Sequence, residues 1–394
     1  MMIRCLFKTF AILSVCGLSA AAASAQTPAV LRKLNTKYER IWPFDRGLAM
    51  VRNDSRYGFV DTLGRVAIPL IYIGARPFKN GYAVVTKGTG DEVRSGLIDR
   101  TGREVLPFVW NDLGAVGREG VAVGWRKTPE GGRSYAIVDT LGHEIPLKYD
   151  LCRDFAHGMA VVGIGDYQEE VIPISGKKMQ VFVGKCGYIT PDGKEAIPVQ
   201  FDEARNFGAD GIASVGIQGK YYIKWGFIDR SGKQIIPCNY YSVENFSRGL
   251  AVVCKVVGPN KLGYGYIDRS GREVVPCKYD AATSFRFENT WVGTEHNGEM
   301  SYTLIDATGK VLLPYSVLRL QDGGKYGQAA CAVRGDDGRL RYGILANSGR
   351  SLLPFEYDEI TIFSDRDPQT GKMQEAAMAT KDGQSFSFDI SIRE

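Results

Sequence analysis

Three histidines, His143, His157 and His296, are the only imidazoles in 394 residues. Their spacing contains no His-x-x-x-His or comparable metal-ligand pattern, so each reads as a solvated loop residue. No Gly-x-Ser-x-Gly elbow marks a nucleophilic serine, although a Ser-His-Asp site needs no such local motif. Gly88-Thr89-Gly90 and Gly163-Ile164-Gly165 lie between predicted strands, with no following helix to hold a phosphate. The aspartates come one to a turn, without an Asp-x-Asp-x-Asp-Gly calcium loop. These readings predict no catalytic residue, no cofactor and no metal. What remains for chemistry is recognition, and the candidates are aromatic: Trp110, Trp125 and Trp291, together with Tyr167. Each can stack on a ligand such as a glycan, and each can equally be core.

The first 25 residues read as a signal peptide, with Arg4 and Lys8, an apolar run from Phe10 to Leu18 and a small-residue cleavage site at Ala23-Ser24-Ala25. Val15 is too bulky to precede a lipid-modified Cys16, which argues against a lipoprotein. No later stretch approaches the roughly 20 apolar residues a spanning helix needs. Removing residues 1–25 leaves 47 basic against 44 acidic side chains, a net charge of +3. The interleaved signs form no basic stripe, so nucleic acid is disfavoured as a partner. Six cysteines remain, Cys152, Cys186, Cys238, Cys254, Cys277 and Cys331, without a Cys-x-x-Cys pair. Buried free thiols are expected; Cys238 and Cys277, each directly after a repeat proline, are the pair whose bonding would report how repeats stack.

The elements that must position these groups come from a repeat. Glycines at 64, 102, 142, 193, 232, 271, 309 and 349 step by 38, 40, 51, 39, 39, 38 and 40 residues. Prolines at 69, 107, 146, 198, 237, 276, 314 and 354 follow the same ladder. Within one unit, Gly226-Phe227-Ile228-Asp229 leads through Asp229-Arg230-Ser231-Gly232 to Ile235-Ile236-Pro237. An acceptor side chain opening the turn and a glycine supplying positive φ, between β-branched runs, predict a hairpin. The proline is expected to end the second strand, because it cannot donate to the ladder. Phe78, Phe155, Phe207, Phe246 and Phe285 precede a third strand such as Gly249-Leu250-Ala251-Val252-Val253. Eight three-stranded antiparallel meanders of about 39 residues, an all-β tandem array forming one domain over 26–394, follow.

Trp42-Pro43-Phe44 with Gly47-Leu48-Ala49-Met50-Val51 reads as a third strand lacking its first two, and Ser385 to Ser391 as a first strand lacking its partners. Pairing these ends would close a ring, so a propeller-like ring is preferred to an open superhelix. The step of 51 places about 12 extra residues between Gly163 and Gly187, including Asp166-Tyr167-Gln168-Glu169-Glu170 and Lys177-Lys178. That insertion reads as a presented binding loop or as an extended hairpin.

The aromatic-Gly pair, hydrophobic pair, Asp, turn glycine and proline-ended strand resemble the WG repeat family of bacterial proteins. Trp225-Gly226-Phe227-Ile228-Asp229 carries the namesake dipeptide; Tyr57-Gly58, Tyr264-Gly265 and Tyr342-Gly343 are variants, and Lys278-Tyr279-Asp280 and Glu356-Tyr357-Asp358 match the segment after the proline. Thr190-Pro191-Asp192-Gly193 and Ala346-Asn347-Ser348-Gly349 lack the opening Asp, Glu288-Asn289-Thr290-Trp291 replaces the usual third-strand start, and 315–342 is irregular. The resemblance implies an exported or envelope-associated scaffold without a defined activity. The expected function is therefore a non-enzymatic, periplasmic or extracellular scaffold that binds a protein partner. Carbohydrate or peptidoglycan binding, and a hydrolase with a composite site, are the alternatives.

Overall fold

A computed structural model describes residues 34, 36–171, 177–322, 327–366 and 373–390. The expected signal peptide at 1–25 lies outside the described residues. The described residues form nine antiparallel sheets in chain order, seven of four strands and two of three. The first holds Arg40–Ile41, Leu48–Asn53, Arg56–Asp61 and Val66–Tyr72; the fifth holds Glu203–Ala204, Ala213–Gln218, Ile223–Ile228 and Gln234–Tyr240. Each full sheet thus has a two- to four-residue lead strand, a central hairpin and a strand carrying the repeat proline. All-β tandem repetition is what the glycine and proline ladders predict. The sheet is offset from the sequence unit, however: the expected third strand forms the first arm of the next unit's hairpin.

The proline ends its strand, as expected, only in the third sheet, at Pro146; in six other sheets the strand continues past it. In the fifth sheet Trp225 pairs with Tyr240 and Phe227 with Ile236, so a two-residue step on the hairpin strand faces four residues around Pro237. The first, second, fourth, sixth and eighth sheets show the same shift. This β-bulge absorbs the donor that proline lacks. It also explains the glycine of the aromatic-Gly pair. A Cβ on Gly226 would sit 2.5 Å from the Ile236 carbonyl and 2.7 Å from both Cys238 N and Pro237 C. Gly58, Gly187 and Gly265 face their own bulges in the same way.

The strand then runs on, with one residue separating it from the lead strand of the next sheet, as in Tyr240, Tyr241 and Ser242. The aromatic three places after the proline anchors this joint: Tyr72, Trp110, Tyr149, Phe201, Tyr240, Tyr279 and Tyr357 are all buried. Successive sheets pack face to face through shared apolar clusters, one of which joins Val161, Tyr188 and Ile197 to Ala204, Phe207, Ala213 and Ile228. Rings tie that seam and the next, Tyr188 to Phe207 at 4.8 Å and Phe227 to Phe246 at 4.9 Å. At the turn, Asp229 Oδ1 accepts the amides of Ser231 and Lys233, and Gly232 sits at φ +81°. A Cβ there would press within 3.0 Å of Ile197 in the preceding sheet.

The two end fragments do not pair with each other. Leu48–Asn53 joins the first sheet, and Gln384–Asp389 pairs with Met373–Lys381 in the ninth. The strand pairing on which ring closure rested is therefore not the device used among the described residues.

Candidate binding surface

The inserted residues lengthen one hairpin, Ala160–Val171 with Lys178–Ile189, into an arm with continuous register over twelve residue pairs. Residues 172–176 lie outside the described residues. Cross-strand pairing puts Tyr167 opposite Phe182 on one face and Asp166 opposite Val183, Gln168 opposite Val181 and Glu170 opposite Met179 on the other. On that second face Ile164, Met179 and Val183 are 49%, 51% and 45% exposed. Isolated exposed apolar residues are ordinary, but a stripe on one face of a projecting arm is a contact surface in form. Neighbouring hairpins add Ile217 and Tyr221 in the fifth sheet and Val256 and Val257 in the sixth, all exposed.

Two of the four aromatic candidates come together on the arm's other face. The Arg133 guanidinium lies 4.3 Å from the Tyr167 ring and 4.8 Å from the Trp125 ring, joining the third and fourth sheets. The Tyr135 and Tyr167 hydroxyls are 3.4 Å apart, and Tyr167 meets Phe182 edge-on at 5.5 Å. Burial, helped by the Tyr135 hydrogen bond, pushes the Tyr167 phenol up to about 12, so it stays neutral. Arg133 thus occupies ring surface that a sugar would need. Trp110 and Trp291 are core residues instead, 1% and 3% exposed. Trp110 fills the anchoring position three residues after Pro107, which the other repeats already mark as aromatic. Trp291 packs with Leu304, Leu313 and Val317 against the small Ala329 and Cys331 of the eighth sheet.

The remaining chemical candidates have structural explanations. His143 Nδ1 lies 2.8 Å from Asp139 Oδ2, the place taken by Arg65, Arg103 and Arg272 on Asp61, Asp99 and Asp268, so the pair is a turn contact. His157 contributes its carbonyl to Arg230 of the next sheet. None of the six described cysteines forms a disulfide. Cys238 and Cys277 pack in separate clusters, and burial raises the Cys186 and Cys277 thiols to about 11, which suits packing and not nucleophilic attack. Among the described residues no group of three or more His, Cys, Asp and Glu side chains is placed to hold a metal ion. No helix among them is long and apolar enough to cross a membrane.

Distant structural likenesses exist. Porphyromonas gingivalis dipeptidyl peptidase 4 shares 9% identity over 91% of this chain and 67% of its own, with a TM-score of 0.41. Puromycin hydrolase shares 11% over 77% of this chain and 58% of its own, at 0.29. Pyrococcus horikoshii acylaminoacyl peptidase shares 8% over 78% and 57%, at 0.33. The chain spans between about half and two thirds of these structures, and likeness this distant says nothing of activity. No curated protein matches the chain. The WG containing repeat matches seven times, at residues 34–57, 57–88, 96–123, 137–167, 187–221, 225–255 and 264–298. These matches cover more than half of the sequence, and those from 57, 96, 187, 225 and 264 begin at the glycine or aromatic-Gly pair of a bulged unit, so the chain belongs to the WG containing repeat family.

Proposed function

We propose that this protein is an exported, non-enzymatic scaffold, a single repeat domain over residues 26–394 behind a signal peptide at 1–25, that holds a protein partner in the envelope or outside the cell. The observation that carries the reading is the apolar stripe of Ile164, Val183 and Met179 on the projecting arm, bounded by Asp166, Glu170 and Lys185. An apolar centre with a charged rim is the usual composition of a protein contact. The repeat explains its own glycines, prolines and aspartates structurally; this stripe has no such explanation.

The test is a cross-linked pull-down from native envelope with the wild-type protein and with a variant carrying Ile164→Asp, Met179→Asp and Val183→Asp. A specific protein recovered by the wild type and lost by the variant supports the reading. Identical recovery by both overturns the assignment to the arm. Secretion is tested by fractionation and by the mature N-terminus, which is expected at Gln26.

A further inference from the structure

The second residue of the repeat turn decides whether one sheet clamps the sheet before it. Arg100 of the second sheet donates to the carbonyls of Asp45 and Arg46 at 2.7 and 2.9 Å and to the Asp45 carboxylate at 3.1 Å, while lying over Phe78. Arg230 of the fifth sheet repeats the arrangement with the His157 carbonyl and Phe207. The third sheet carries Thr140 and Val116 at these two places. Both side chains are smaller, and a cavity of about 450 Å³ stands where the clamp would be.

Arg46, Asn80, Tyr82, Arg118 and Thr140 line this cavity, contributed by three successive sheets. Asn80 Nδ2 donates to the Val116 carbonyl and fixes the floor. Neither the Arg46 nor the Arg118 guanidinium has an ion-pair partner among the described residues, and no acid belongs to the lining. Glu119 of the same loop turns its carboxylate back over Gly117. Even with that charge included, the lining has a net positive charge and an excess of donors, since Thr140 and Tyr82 add hydroxyls to the two arginines. A guanidinium's fork of donors matches the oxygens of a phosphate or carboxylate.

We propose that this vacated clamp slot between the second and third sheets binds an oxyanion, the phosphate or carboxylate group of a small molecule or a partner. The inference is independent of the arm. It is tested by calorimetric titration of the purified protein with inorganic pyrophosphate and with citrate, which separate the two sources of the chemistry. At least one is expected to bind, and Arg46→Ala with Arg118→Ala is expected to weaken it at least about tenfold. Thr140→Arg, which refills the slot as in the second and fifth sheets, is expected to abolish binding while leaving the melting temperature unchanged or higher. Absence of binding by either probe to the wild type overturns the proposal. So does affinity retained in the folded double variant or in Thr140→Arg.

Discussion

The third and fifth sheets share the turn aspartate, the turn glycine and the proline but differ at the residue that faces the proline strand. In the fifth, Gly226 leaves room for the Pro237 bulge, and the proline strand continues to Tyr240. In the third, Ala136 takes that place; Ala136 pairs in plain register with Pro146, and the strand stops there after three residues. The seventh sheet agrees. Thr303 replaces the glycine, and the segment around Pro314 forms only isolated bridges, Ile305 to Val311 and Tyr302 to Val317. Glycine and proline are therefore one device divided between two strands: the bulge needs a neighbour without a Cβ.

The comparison can be broken in order of expected effect. Trp291→Ala should cost most, about 3–5 kcal/mol, because Trp291 fills the core of the sheet that lacks a proline strand. Urea unfolding measures it; a loss below that of an ordinary valine-sized deletion would remove the compensating role. Gly226→Ala should cost about 1–3 kcal/mol through overpacking against the bulge backbone, with a lowered thermal midpoint. An unchanged midpoint would show that the bulge yields freely. Arg100→Ala should cost about 1–2 kcal/mol, since its three acceptors lie across a sheet boundary. Ala136→Gly should cost only about 0.5–1 kcal/mol, because no bulge faces that position. Equal losses from the two glycine-site substitutions would contradict the pairing of bulge and glycine.

The turns supply the smallest effect, in acid. Side-chain hydrogen bonds from Ser270 and Thr101 hold Asp268 and Asp99 at about 2, below the ordinary aspartate value. A carboxylate depressed in the folded state stabilises fully above the unfolded value near 3.9 and loses that contribution as pH falls through about 2. Asp268→Asn should flatten the decline in stability between roughly pH 4 and pH 2 relative to wild type. The turns opened by Thr190 and Ala346 have no opening aspartate to lose.

Much of the fold was legible because the repeat multiplies each local signal. The turn glycine and its aspartate are three residues apart, and local chemistry suffices to place them. Gly226 and Pro237 are read separately as an aromatic-Gly pair and a strand end, since nothing along the chain shows that they touch. Trp110 was equally legible as the aromatic three places after a proline, but its residue type suggested a ligand. Trp125 and Tyr167 meet only through Arg133, from a different strand, and no spacing announces that contact. The vacated slot was hidden for the opposite reason: Thr140 is unremarkable until Arg100 and Arg230 show what its position holds elsewhere.

The one-residue joint between each bulged proline strand and the next sheet also determines where length can change. An added residue there would disturb how one sheet packs on the next, because the joint is a single residue between two packed sheets, whereas one at a hairpin tip leaves both strands paired. The tips already range from the tight Asp54-Ser55 turn to the long arm ending near residues 171 and 178. Insertion and deletion are thus confined by geometry to a single rim of each sheet, and diversity can accumulate there while the spine keeps its count.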